Sequence, residues 1–114
     1  MSGWAGDAPV LYVYRVTLEF IVLCDHQYAS WPKGKGALRD QLSRAADSIL
    51  LNIAEGCGQR VAGNSGRNFF RIALGSASEC AAILDRLQLL NMSGLPEERR
   101  RLLRIAAMLR GMSR

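Results

Sequence analysis

The feature that most restricts this chain is a set of apolar positions three and four residues apart, divided by short breaks rich in glycine. Over residues 37–60, Leu38, Leu42, Ala45, Ile49 and Ile53 recur at that spacing, which places them along one side of a helix. Residues 66–91 repeat the pattern with Phe70, Ala73, Ala77, Cys80, Leu84 and Leu87, and after Pro96 a third stripe follows with Leu102, Ile105, Ala106, Leu109 and Met112. The breaks are Trp31-Pro-Lys-Gly-Lys-Gly36, Val61-Ala-Gly-Asn-Ser-Gly66 and Ser93-Gly94. Asn64 or Ser65 can cap the helix that follows the second break. Pro96 suits a first helical turn, and Glu97 and Glu98 complement the positive end of the helix dipole. Helices joined by connectors this short predict an all-α, up-and-down bundle.

The N-terminal part is less decisive. Residues 1–9 read as a short flexible lead-in to a single domain over 10–114. Between Val10 and Val22 every even position is apolar, which is strand-like alternation, yet Leu11, Tyr14, Leu18, Ile21 and Val22 also fit a helical face. The residues alone leave the two assignments level. In either case this segment is apolar nearly all round, and Leu50-Leu51 turns off the core stripe of the next helix, so a homo-oligomer is expected to bury the excess.

Two further positions carry expectations. Gly75 lies mid-helix, where glycine costs about 1 kcal/mol relative to alanine, and the small residues Gly75-Ser76-Ala77-Ser78 predict a close helix approach there. Asn52 falls on the core-facing row Ala45, Ile49, Asn52, Ile53 and Gly56, where an unpaired amide costs roughly 1–3 kcal/mol.

Charge narrows the partners. The chain carries a formal +5 at pH 7, with Arg99, Arg100, Arg101, Arg104, Arg110 and Arg114 against Glu97 and Glu98 in its last twenty residues. Lys33, Lys35, Arg39 and Arg60 can extend the basic surface. Such a tail points to phosphates or acidic proteins, although in an isolated monomer a solvated face partly paired with the two glutamates is the favoured reading, and repetition in an oligomer shifts the balance. No aromatic residues alternate with the arginines, so stacking on single-stranded bases has no support.

Other chemistry finds little purchase. Cys24, Cys57 and Cys80 are odd in number and lack zinc-type spacing, which suits a reducing cytoplasm and neither a disulfide framework nor a metal site. His26 is the single histidine, and no nucleophile-base arrangement is evident. Gly58-Gln-Arg-Val-Ala-Gly63-Asn-Ser65 imitates a phosphate-binding loop but lacks the lysine and follows a helix, so it reads as a helix-helix turn. The apolar stretch from Val10 to Cys24 is broken by Arg15 and Glu19 and is too short to span a bilayer. No cofactor, metal or membrane partner is expected.

Three blocks, Gln41-Leu-Ser-Arg-Ala-Ala-Asp-Ser-Ile, Asn52-Ile-Ala-Glu-Gly56 and Phe69-Phe-Arg-Ile-Ala-Leu-Gly-Ser-Ala-Ser-Glu79, resemble the bacterial four-helix-bundle family typified by the protein encoded in 23S rRNA intervening sequences. That family includes the accessory variability determinant of diversity-generating retroelements. The resemblance runs from about Val10 to Met112. It implies that the first segment is helical, that five copies form a barrel-shaped homopentamer, and that nucleic acid is bound, as in some members. It also places Asn52, Glu55 and Glu79 at recurrent polar positions, which fit a structural network at a bundle or subunit contact, since two carboxylates alone make no catalytic constellation. In place of the family's proline and small polar residue this chain has Leu50-Leu51, so the helical kink there does not carry over. The functional expectation is a non-enzymatic, cytoplasmic homo-oligomer that binds structured RNA or DNA, with an adaptor role toward a partner such as a reverse transcriptase. The alternative is a scaffold that binds acidic protein surfaces without nucleic acid.

Overall fold

In the computed structural model, which describes residues 7–31, 33–89 and 96–114, four helices follow one another: α1 (Ala8–Gln27), α2 (Gly36–Val61), α3 (Arg67–Leu89) and α4 (Pro96–Met112). No strand occurs among the described residues. Residues 1–6 of the expected lead-in, Pro32 of the first connector, and the expected end of the third helix at Asn91 lie outside them. Each helix packs on its chain neighbours, and α4 closes back on α1. The result is an antiparallel bundle whose two ends gather residues far apart in sequence.

Helix wins the tie in the first segment. Val10, Val13, Val16, Thr17, Phe20 and Cys24 are buried, a three-and-four spacing that gives α1 one core face. The misleading alternation arises because Tyr12, Leu18 and Val22 are also apolar yet exposed. Asp7 caps α1 through Oδ1, which accepts from the Val10 N–H at 3.4 Å, and Pro9 sits in the first turn. The buried Thr17 hydroxyl donates to the Val13 carbonyl at 2.7 Å, so it leaves no orphan polar group in the core.

The core stripes fall where the spacing places them. Leu38, Leu42, Ala45, Ile49 and Ile53 of α2 meet Phe70, Ala73, Ala77, Cys80, Leu84 and Leu87 of α3, with Leu102, Ile105 and Leu109 of α4 completing the interior. Each large side chain so buried contributes roughly 1.5–3 kcal/mol. Ala106 and Met112 of the fourth stripe are only partly buried. Helix α2 runs through Leu50-Leu51 without interruption, and Leu51 is exposed.

One expectation holds only in part. Ser76 of the small-residue stretch meets Ser48 of α2 at 2.7 Å and Ala77 is buried, but Gly75 is exposed, with open space where a Cβ would stand, so the approach does not depend on its being glycine. The approach that requires glycine lies nearer the α2–α3 turn. A Cβ on Gly56 would stand 2.5 Å from the Phe70 ring, and one on Gly66 would stand 2.5 Å from the Gly56 carbonyl oxygen. Gly66 also has φ +71°, a left-handed conformation that costs other residues about 1–2 kcal/mol. Steric demand thus concentrates at the turn, where the spacing already placed a glycine-containing helix-helix connection.

Candidate functional site

The basic residues separate into two groups at opposite ends of the bundle. At the connector end, where α4 begins, the arginine run is largely neutralised. Arg99 pairs with Asp85 of α3 and donates to Gln88 Oε1 at 3.3 Å. Arg100 pairs with Glu97 at 3.0 Å, while Arg101 pairs with the same Glu97 and lies 3.8 Å from Glu19 of α1. Arg104 donates to the Tyr12 hydroxyl at 3.3 Å. The run therefore does not form one open face: Arg99 turns to α3, whereas Arg101 and Arg104 turn to α1. Arg39 lies 3.9 Å from Asp40 and 5.8 Å over the Tyr28 ring. Lys33 and Lys35 in the connector, and Arg110 near the far end of α4, have no ion pair among the described residues.

This end also holds a buried carboxyl. Glu98 is 1% exposed, and its Oε2 has no hydrogen-bond partner among the described residues. Burial pushes its pKa above the ordinary carboxylate value, while hydrogen bonds from its own backbone N–H and from Gln27 partly oppose the shift.

At the turn end, Arg60 is committed to structure. Its Nη1 donates to both Asp7 carboxylate oxygens, at 3.2 and 3.0 Å, and its guanidinium stacks 4.8 Å over the Phe70 ring. It clamps the start of α1 to the end of α2. Beside it, Gln59, Asn64, Ser65, Arg67, Asn68 and Arg71 line an open cavity of about 470 Å³. Arg67 Nε donates to Ser65 Oγ at 3.3 Å, and Arg71 donates to Asn68 Oδ1 at 3.3 Å and to the Ser113 carbonyl at 3.2 Å. These partners are neutral. The loop that imitates a phosphate-binding motif is here a helix-helix turn, with Gly63 at φ +93° accepting the reversal of the chain.

The polar set Asn52, Glu55 and Glu79 does not join within one protomer. Asn52 is half-buried and satisfies its amide locally, donating from Nδ2 to the Ser48 carbonyl at 2.8 Å and to Ser48 Oγ at 3.2 Å. Ser48 in turn shares a 2.7 Å hydrogen bond with Ser76 of α3. Glu55 and Glu79 are exposed. Sequence reading missed the two serines because neither marks a motif by itself.

Metal or nucleophilic chemistry has little foothold. No group of three His, Cys, Asp or Glu side chains that could hold a metal occurs among the described residues, and His26 is exposed. Cys24, Cys57 and Cys80 are buried free thiols. Burial pushes all three pKa values up, that of Cys80 to about 12, which keeps them protonated and poorly nucleophilic.

Apolar side chains remain in contact with solvent on every helix. They include Tyr12, Leu18 and Val22 on α1, Leu51 on α2, Ile72 on α3 and Leu103, 68% exposed, on α4. Leu18, Val22, Leu23 and Arg101 line a shallow groove of about 360 Å³ between α1 and α4. None of the helices among the described residues is long and apolar enough to cross a membrane.

The family model described as 23S rRNA-intervening sequence protein matches residues 10–112. Neither the curated proteins nor the solved structures give a significant match to the chain.

Proposed function

Since the chain belongs to the 23S rRNA-intervening sequence protein family, we propose that it is a non-enzymatic, homo-oligomeric protein of the cytoplasm that binds structured RNA or DNA. The observation that carries this reading is the cationic surplus: a formal +5 for 114 residues, retained after the ion pairs at the start of α4 are set aside. Arginines meet phosphates, and the shape of the folded nucleic acid sets any preference. The family description, which names 23S rRNA, fits a polyanionic ligand.

Oligomer formation suits the exposed apolar residues on all four helices, which are more than one small bundle needs to display. Five copies is the number the family resemblance implies. Five copies at +5 carry roughly +25, and polyanion affinity rises steeply with the number of phosphates neutralised. A second reading, a scaffold for acidic protein surfaces without nucleic acid, draws on the same cationic surplus together with the apolar groove of Leu18, Val22 and Leu23, which a protein partner can fill, including one for which this chain is an adaptor.

The test is fluorescence anisotropy of a labelled RNA hairpin and a DNA duplex against salt, with oligomer mass measured in parallel. Binding that weakens by about 10³-fold or more between 50 and 200 mM salt is expected for six or more phosphate contacts per assembly. Absence of binding at low salt overturns the nucleic-acid reading in favour of a protein partner.

A further inference from the structure

The geometry points to the cavity at the α2–α3 turn as the phosphodiester-binding subsite of this protein, with Arg67 and Arg71 as its cations. The inference rests on the nucleic-acid reading and deepens it by locating the contact away from the arginine run of α4.

What distinguishes Arg67 and Arg71 from Arg99, Arg100 and Arg101 is the kind of partner each has. At the start of α4, carboxylates of Asp85, Glu97 and Glu19 hold the guanidiniums, and each such pair cancels most of the field that a distant phosphate would feel. In the turn cavity the partners are a hydroxyl, an amide oxygen and a main-chain carbonyl. Neutral acceptors fix the direction of a guanidinium and leave its charge intact. Arg67 and Arg71 are thus oriented before a ligand arrives, which reduces the side-chain entropy lost on binding.

The lining selects for an anion. Gln59, Asn64, Ser65 and Asn68 add amide and hydroxyl donors, and the cavity wall contains no carboxylate. Asp7, at the same end, already has both oxygens engaged by Arg60, and Glu55, one turn before Gln59 on α2, is not part of the lining. At about 470 Å³ and open to solvent, the cavity admits a backbone segment without enclosing it, as a phosphodiester of a folded strand requires. Arg67 and Arg71 are four residues apart on α3 and so project to the same side. Arg110 and Arg114, at the end of α4 that Arg71 touches through Ser113, extend the positive field.

The experiment compares two charge-matched double variants of the full chain, each at verified oligomer mass and melting temperature: Arg67→Glu/Arg71→Glu, and Arg99→Glu/Arg100→Glu, whose arginines are both paired with carboxylates. Binding of an RNA hairpin and a DNA duplex is followed by anisotropy across salt. The turn-end variant is expected to weaken binding by at least tenfold and to flatten the salt dependence by about two phosphate contacts, whereas the α4 variant loses at least threefold less. Because Arg71 also bonds the Ser113 carbonyl, Arg67→Glu alone serves if the double variant unfolds, with a threefold or greater loss expected. Equal losses in the two double variants, or a larger loss from α4, overturn the subsite while leaving nucleic-acid binding in place. Absence of binding by the native protein overturns both.

Discussion

The two ends of the bundle are built from similar residues to opposite effect. The connector end has the arginine run, yet ion pairs with Asp85, Glu97 and Glu19 mute Arg99, Arg100 and Arg101, and its interior keeps an incompletely partnered carboxyl in Glu98. The turn end holds Arg67 and Arg71 on neutral partners, and it is locked by the Gly56–Phe70 and Gly66–Gly56 approaches and by the Arg60 clamp. A count of basic residues therefore says less about a binding surface than the identity of what each one touches.

The sharpest way to break this contrast is steric. Gly66→Ala adds a Cβ against the Gly56 carbonyl at a left-handed φ, and is expected to destabilise by roughly 2–4 kcal/mol in urea unfolding. Gly36→Ala at the connector end, where a Cβ meets open space, is expected to leave the midpoint unchanged or raise stability by less than about 1 kcal/mol. Similar losses at both glycines would show that the turn is no tighter than the connector.

A smaller difference is expected from the ion pairs. Arg60→Ala removes a two-oxygen contact with Asp7 and the stack on Phe70 from side chains only 31% and 24% exposed, for about 1–2 kcal/mol. Arg99→Ala removes a more exposed pair and is expected to cost less than about 1 kcal/mol. A double-mutant cycle on Asp7 and Arg60 measures the coupling directly, and a value near zero would remove the clamp from the account of this end.

The smallest expected effect belongs to Glu98 and appears as pH dependence. Its folded pKa lies above the ordinary value of 4.5, so between the two the native state holds a proton that the unfolded chain has released. Its contribution to stability is therefore full below about pH 4.5 and is lost as pH rises through the folded pKa. Cys24 of α1, and Glu97 and Arg101 of α4, are the other titratable groups that face this carboxyl or its surroundings. Relative to the native chain, Glu98→Gln is expected to lose less stability when the pH is raised from 5 to 8, read as the difference in melting temperature at matched salt. A constant difference across that range would show that Glu98 titrates as an ordinary surface carboxylate.

Much of the fold was legible because a helix core repeats at fixed spacing: every apolar core position named on α2 and α3 is buried, while Asn52 of the same row is half-buried. The first helix was ambiguous because Tyr12, Leu18 and Val22 overlaid a second apolar pattern on the buried one. The site was less legible. Arg99, Arg100 and Arg101 drew attention as a run, but their partners Asp85 and Glu19 lie on other helices, where no spacing rule reaches. Arg67 and Arg71 stood in plain view as a pair one helical turn apart, and only tertiary structure shows that their partners are neutral. Gly75 misled because glycine in a helix has two readings, close packing or mere tolerance, which differ only in what stands opposite.

The order in which the helices pack has a kinetic consequence. Three of the four seams, α1 on α2, α2 on α3 and α3 on α4, join segments adjacent in the chain and can form with the closure of only a short loop. The seam between α1 and α4 alone requires the two extremities to meet. A topology so dominated by local contacts folds on the microsecond-to-millisecond scale typical of helical bundles. Loop-closure entropy then makes the α1–α4 seam, with its groove of Leu18, Val22 and Arg101, the last to close.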